Sequence, residues 1–269
     1  MQQLKETVSF IQNLCNTKPQ IGIVLGSGLG NFIGEIEEDK QIEYDEIPNF
    51  PVSTVEGHHG KLIFGRLAKK NIVAMAGRFH YYEGYTAQEV VFPIRVLKLL
   101  GIETLLITNA SGGVDPSLHV GDLMIINDHI SMDAHNPLIG KNIAELGPRF
   151  PDMSEPYKKE LIEKAKLIAI RLGIEVKEGV YFGVTGPTFE TRAEYRMIHI
   201  LGGDAVGMST VQEVIAANHM SLPVFAISVI TDIGIREEEN IISHMDVLQQ
   251  ANDAEPKMTA IIKEMVKEL

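Results

Sequence analysis

The sequence predicts one α/β domain organised around a mixed β-sheet. Three observations carry that prediction. Short apolar runs such as Ile21-Gly22-Ile23-Val24-Leu25 and Thr104-Leu105-Leu106-Ile107-Thr108 end in glycine-rich or small-residue turns, as strands buried on both faces do. Amphipathic stretches separate some of these runs while others follow one another directly, so the strands cannot all be parallel. Finally, 269 residues with no repeat, low-complexity tract or linker suit a single domain spanning residues 1–269. A chain of that length can bury about three quarters of its unfolded surface.

Leu4, Val8, Ile11 and Leu14 or Cys15 fall at helical spacing, so residues 3–16 read as an amphipathic helix ended by Pro19. The strand at 21–25 runs into Gly26-Ser27-Gly28-Leu29-Gly30. The acidic stretch that follows, with Glu35, Glu37, Glu38 and Asp39, has no helical periodicity. Residues 62–65 and 72–76 pair as a hairpin. Residues 86–100 read as one helix, with Thr86 and Glu89 as a capping box and Gly101 as its stop. Beyond the strand at 104–108 come a strand at 122–127 and a polar loop over 128–149. A helix over 155–172 stops at Gly173, and a strand covers 176–184. A helix over 190–200, a short strand over 204–208, a helix capped by Ser209 and a last core strand over 223–230 complete the alternation. The carboxy-terminal helix, 243–267, carries His244 in its first turn, where a lone histidine usually lies on the surface.

Composition excludes several classes. Apolar content of 45% with 22% charged residues is that of an ordinary globular chain, and the formal net charge of −12 opposes nucleic-acid binding through a general positive field. Any phosphate must be held locally. The single cysteine, Cys15, excludes an internal disulfide framework and fits a reducing compartment. The amino terminus lacks the basic start and apolar run of a signal peptide, and no window approaches eighteen apolar residues, so the expectation is a cytoplasmic protein outside the membrane.

Gly77-Arg78-Phe79-His80-Tyr81-Tyr82-Glu83-Gly84-Tyr85 carries the densest chemistry. An arginine fork and an imidazole two residues on, delivered by a strand, can form half of an oxyanion site; the plainer reading is a loop whose Arg and Glu pair. The glycine turn at 26–30 can bring backbone N–H groups and the Ser27 hydroxyl close to an anion. It departs from a dinucleotide fingerprint, because Asn31 stands where the third glycine belongs and no clean βαβ unit follows. Asn109-Ala110-Ser111-Gly112-Gly113 is a second turn of small residues at a strand end, where open α/β sheets bind ligands. Adjacent His58 and His59 point to opposite sides of an extended chain and lack a third ligand, which disfavours a metal and leaves room for one functional histidine. Phe150, between Pro148 and Pro151, is a pinned exposed aromatic suited to a partner. Glu190 follows Gly186-Pro187-Thr188-Phe189, either as a partly buried acceptor or, with Thr191 and Glu194, as an opener of the next helix.

These turns, with Ala205-Val206-Gly207-Met208-Ser209-Thr210 and Gly57-His58, resemble in order and spacing the purine nucleoside phosphorylases of the trimeric type, over about residues 20–250. The resemblance implies a twisted mixed sheet, partly barrel-like and flanked by helices. It implies cleavage of the N-glycosidic bond of purine nucleosides by inorganic phosphate, giving free base and ribose 1-phosphate in purine salvage, with no metal or organic cofactor. Phosphate is then expected at Ser27, His58, Arg78, His80, the backbone N–H of Ala110, and Ser209. Tyr82, Met208 and His244 are expected at the ribose, and Ala110, Tyr181, Glu190, Val206 and Asp232 around the base. His80, Glu190, Asp232 and His244 carry the chemistry in that reading. Phe150 is expected to reach a neighbouring site in a homotrimer.

Asp232 departs from the pattern, since members specific for 6-oxopurines usually carry asparagine there. An ionised carboxylate cannot donate to the base. Either Asp232 is protonated, or it accepts from a 6-aminopurine as in methylthioadenosine phosphorylases; Glu190 instead suits the N1–H of hypoxanthine or guanine. The sequence therefore favours inosine and guanosine, with adenosine or methylthioadenosine as the alternative. A nicotinamide-dependent oxidoreductase and a non-catalytic nucleoside-binding module are the readings from other classes.

Overall fold

The computed structural model describes residues 1–52, 60–131, 135–235 and 243–269. Helix α1 (Gln2–Leu14) precedes strand β1 (Ile21–Leu25), a short 3-10 segment and β2 (Glu37–Glu43). Strands β3 (Lys61–Leu67) and β4 (Lys70–Ala76), helices α2 (Ala87–Val90) and α3 (Phe92–Leu100), and strands β5 (Thr104–Gly113) and β6 (Leu123–Ser131) follow. The second half runs α4 (Lys159–Leu172), β7 (Val176–Gly183), α5 (Arg192–Ile200), β8 (Ala205–Gly207), α6 (Val211–His219), β9 (Val224–Ile233) and α7 (His244–Glu268).

One mixed sheet in the order β2-β3-β4-β1-β5-β8-β7-β6-β9 organises the chain, and a further β5–β9 pairing closes β5, β8, β7, β6 and β9 into a ring. The expected partly barrel-like sheet is therefore present. Its centre is parallel: β1 lies between β4 and β5, and β5 pairs with β9 in the same direction. All five residues of β1 and nine of the ten in β9 are buried, which is why these strands read as unbroken apolar runs. Helices pack around the sheet, with α7 against β9 and α4, and α1 against α3.

Several elements differ from expectation. The acidic stretch after the glycine turn is an edge strand, β2, with Ile42 its one buried residue; charges on an exposed edge discourage pairing with another chain. The helix expected over 86–100 breaks at Val91, because Pro93 in the first turn of α3 has no N–H to continue the ladder. Thr86 and Glu89 do form the capping box, and Gly101 adopts a left-handed stop. Helix α4 starts at Lys159 rather than 155, where the Glu155 carboxylate accepts from the Lys159 N–H. Ser209 does not cap α6. Thr210 holds that position, with φ +71° and ψ −54°.

Candidate active site

The parallel strands β1, β4, β5 and β9 present their carboxyl ends on one side of the sheet, and a cleft of about 340 Å³ opens there. Ser27 enters it from the turn after β1, Arg78 and His80 from the segment after β4, and Ala110 from β5. Val206, Met208 and Ser209 come from β8 and its turn, Asp232 from β9, and His244 from the start of α7. Tyr82, Glu190 and Tyr195 complete the walls.

The turn at 26–30 is held rigidly. Gly26 donates its N–H to Thr108 Oγ1 at 3.2 Å, and Thr108 Oγ1 donates to the Val24 carbonyl at 3.0 Å, tying β1 to β5. Gly28 has φ +73°, and a Cβ there would lie 2.7 Å from Ala251 Cβ in α7. Only glycine lets the turn reach Ser27 while resting on that helix.

At one end of the cleft Arg78, 1% exposed, donates from Nη1 to Ser209 Oγ at 3.0 Å and to Thr210 Oγ1 at 3.5 Å. Its Nε lies 3.2 Å from Glu213 Oε1 of α6. Burial pushes the Glu213 carboxyl up and the Arg78 charge opposes that shift. The glutamate in the arginine's own segment has a different partner. Glu83 Oε1 accepts from the His80 backbone N–H at 2.8 Å and lies 3.0 Å from His80 Nδ1. Because a carboxylate only accepts, Nδ1 carries the ring proton and Nε2 is left with its lone pair. Burial holds His80 below its ordinary pKa, with the hydrogen bond to Glu83 opposing it, and the ring stacks on Tyr82 at 4.7 Å.

Thr210 ties this end together. Its hydroxyl also accepts from Asn109 Nδ2 at 2.8 Å, and Ser228 Oγ donates to Asn109 Oδ1 at 2.6 Å. Val211 N–H donates to the Ser209 carbonyl at 2.7 Å, which with the Thr210 dihedrals makes a γ-turn of the strained hand. Such a conformation in a β-branched residue costs on the order of 1–3 kcal/mol and is typical of sites where geometry is imposed.

In the middle of the cleft stand Tyr82, Met208 and His244. A box between Ser243 and Asp246 caps α7 and fixes its first turn, so His244 faces the cleft rather than the surface. Its Nε2 is buried and has no hydrogen-bond partner among the described residues.

The other end is acidic. Glu190 lies just before α5, which is opened by the reciprocal Thr191–Glu194 box, so Glu190 is not needed as a cap and turns into the cleft. Burial raises its pKa, and the nearby Asp232 charge adds to the rise. Asp232, 7% exposed, accepts from Thr231 Oγ1 at 3.1 Å through Oδ1. Phe189 and Val206 supply apolar walls for a flat ligand.

Tyr181, expected at the base, stands elsewhere, and Phe150, expected in a neighbouring site, lies outside this cleft. Tyr181 is fully buried behind the wall: its hydroxyl accepts from the Ser209 N–H at 3.3 Å and lies 3.5 Å from Ser209 Oγ. The missing side chain of Gly207 makes this possible, since a Cβ there would sit 2.2 Å from the Tyr181 hydroxyl. Phe150 is 86% exposed on another face, beside a separate cavity and with the Arg149 guanidinium 5.7 Å from its ring centre. His58 and His59 lie outside the described residues. Sequence reasoning assigned no role to Tyr195, Thr210 or Glu213, and considered Glu83 only as a pairing partner for Arg78. Two of these lie within motifs already singled out, whereas Glu213 and Tyr195 are inward positions of helices that carry no local mark. Among the described residues no three His, Cys, Asp or Glu side chains gather as a metal site.

Residues 20–267 match the phosphorylase superfamily. Purine nucleoside phosphorylase 1 of Geobacillus stearothermophilus is 49% identical over 99% of this chain and 97% of its own. Isoform 2 of the Schistosoma mansoni purine nucleoside phosphorylase, solved with cytosine and ribose-1-phosphate, superposes with a TM-score of 0.95 at 44% identity, over 100% of this chain and 96% of that one. Another S. mansoni purine nucleoside phosphorylase, solved with adenosine, gives 0.95 at 39% identity over 100% and 98%. A cleft with a fixed cation at one end and carboxylates at the other, on a sheet that superposes this closely, places the chain in the phosphorylase superfamily and, within it, among the purine nucleoside phosphorylases, which are pentosyltransferases.

Proposed function

We propose that the chain splits inosine and guanosine with inorganic phosphate, giving the free base and ribose 1-phosphate, and that it accepts adenosine more readily than a strict 6-oxopurine enzyme does. The observation that carries this reading is the polarity of the cleft: Arg78 and His80 at one end, Glu190 at the other. Phosphate is assigned to Ser27, Arg78, His80, Ser209 and the Ala110 N–H, with His58 as a further donor. The Arg78 fork and hydroxyl donors suit phosphate oxygens. The neutral His80, held by Glu83, accepts a hydrogen bond on Nε2 from a protonated phosphate oxygen, which leaves the proton on the phosphate and adds no second buried cation. The sugar lies over Tyr82 and Met208, with the unpartnered His244 Nε2 meeting a ribose hydroxyl.

Bond breaking leaves positive charge on the sugar and negative charge on the base, as in glycoside hydrolysis with phosphate taking the nucleophile's place. Phosphate below the ribose stabilises the first. Ionised Glu190 accepts from N1–H of a 6-oxopurine and fixes the ring for departure. Asp232 supports the second reading, a 6-aminopurine substrate, because a carboxylate can accept from an exocyclic amino group; the adenosine bound to the schistosome relative is of that class. Inorganic phosphate serves as co-substrate, and the residues supply each role without a metal or organic cofactor. We also assign a homotrimer in which Phe150 reaches a neighbouring cleft, and a cytoplasmic location; no helix among the described residues is long and apolar enough to cross a membrane.

Base release from inosine, guanosine, adenosine and methylthioadenosine, each with and without phosphate, tests the assignment. Phosphate-dependent cleavage of the first two is expected to dominate. Cleavage confined to the aminopurine nucleosides would overturn the role given to Glu190.

A further inference from the structure

The acidic end of the cleft poses a chemical problem. A 6-oxopurine presents a donor, N1–H, beside an acceptor, O6, and the base gathers negative charge as it leaves. Glu190 meets the donor. An ionised Asp232 offers nothing to O6, because a carboxylate has no hydrogen to give. The hydroxyl of Thr231 is already committed to Asp232 Oδ1 at 3.1 Å and to the Ser111 carbonyl at 3.3 Å. The amide of Asn109 is committed to Thr210.

One donor at that end is not committed. Tyr195, in the first turns of α5, lines the cleft and is 5% exposed. Its hydroxyl is buried beside Glu190 and Asp232 and is felt by both carboxylates, yet it makes a well-formed hydrogen bond with neither, nor with any other group among the described residues. A buried phenol without a well-formed bond is costly, so its persistence calls for a ligand atom that completes it. The ring is built into place. A Cβ on Gly234 would lie 2.1 Å from Tyr195 Cδ1, so the chain after β9 runs flat beneath the ring. Burial and the two flanking carboxylates hold the phenol above its ordinary pKa, which keeps the hydroxyl protonated and a donor throughout the physiological range.

We propose that the Tyr195 hydroxyl is the base-recognition donor of this cleft, giving its hydrogen bond to the six-position oxygen of a bound 6-oxopurine and strengthening that bond as charge builds on the departing base. The inference rests on the reading of the cleft as a purine site and adds a contact that Asp232 cannot make while ionised. The same hydroxyl can instead accept from a six-position amino group, since a phenol both donates and accepts. One side chain then serves both kinds of purine.

The test is Tyr195→Phe, which keeps the ring on Gly234 and removes only the hydroxyl. Calorimetric titration of wild type and variant with hypoxanthine and with unsubstituted purine, which lacks the oxygen, isolates the contact without requiring turnover. The variant is expected to lose affinity for hypoxanthine and to keep that for purine, and to lose on the order of 10²-fold in kcat/KM on inosine, the usual effect of removing one such donor. Equal changes for the two bases, or none, would overturn the assignment. Failure of the purine reading itself shows separately, as absence of phosphate-dependent cleavage by the wild type.

Discussion

The two ends of the cleft are built on opposite plans. At the Arg78 end each charged or titratable group is paired within the protein, although Glu213 Oε2 makes no hydrogen bond among the described residues: the guanidinium has Ser209, Thr210 and Glu213, the imidazole has Glu83, and Asn109 and Ser228 brace Thr210 from behind. At the Glu190 end two carboxylates and a phenol crowd together in loose contact, and the phenol has no well-formed hydrogen bond among the described residues. A small symmetric anion can be met by a finished cradle. A base that changes charge during reaction is better met by groups whose bonding is completed by the ligand, and those groups remain costly until it arrives.

Substitutions at the two ends should therefore fail differently. Arg78→Met removes the cation from a buried pair and leaves Glu213 without compensation, so a loss of about 3–5 kcal/mol of stability is expected alongside loss of phosphorolysis. A shift in chemical-denaturation midpoint of that size checks it, and an unchanged midpoint would mean that Glu213 is not held by Arg78.

Glu190→Gln should instead cost on the order of 10²-fold in kcat/KM on inosine with no loss of stability at neutral pH. The sign follows from linkage. A carboxyl whose folded pKa is raised binds its proton more tightly when folded, so its contribution is complete below the ordinary carboxylate value and declines as pH climbs through the raised one. At neutral pH nothing favourable remains to be removed. In the wild type the acid limb of the inosine pH profile should lie above the ordinary glutamate value, and a limb at that value would contradict the burial of Glu190.

A smaller effect is expected from Gly207→Ala. The new methyl must displace Tyr181, whose hydroxyl holds the Ser209 N–H, at a cost of about 1–3 kcal/mol for overpacking. The kinetic damage should appear in KM for phosphate rather than for nucleoside, and equal damage to both would separate Tyr181 from the phosphate end. The mildest change is Asp232→Asn. It should move the ratio of inosine to adenosine cleavage toward inosine by about 10-fold, the factor carried by one hydrogen bond of ~1.4 kcal/mol. Its alkaline limb on inosine should match the wild type if Tyr195 supplies the donor. Activity extended to higher pH would assign that role to a protonated Asp232.

Legibility in the sequence followed burial and locality. Strands β1, β5 and β9 were readable because both their faces are covered, so apolar side chains run without interruption. Strand β2 was not, because its solvated edge is written in charges and only Ile42 points inward. Turns after strands advertised Ser27, Arg78 and His80; the small residues at 109–113, expected as a turn, also advertised Ala110, although β5 runs on through them to Gly113. Glu213 and Tyr195 left no such sign: a glutamate in a first helical turn, or a tyrosine among polar neighbours, is common on any surface, and only the fold shows that these two point inward. Thr210 lies within a recognisable motif, but nothing local predicts a positive φ in a threonine. Tyr181 was placed beside the base, and the space that admits it beneath Ser209 comes from a glycine on another strand.

Strand β5 belongs to both the open sheet and the closed ring, with β1 on one side and β9 on the other. During synthesis this has a cost. Leu105 is made long before its partner Val224, so a growing chain must carry a bare β5 edge until nearly all of it has emerged. Loop closure over that span is slow, and an apolar edge left open is a template for other nascent chains. The seam that closes the ring is therefore among the last contacts the growing chain can make.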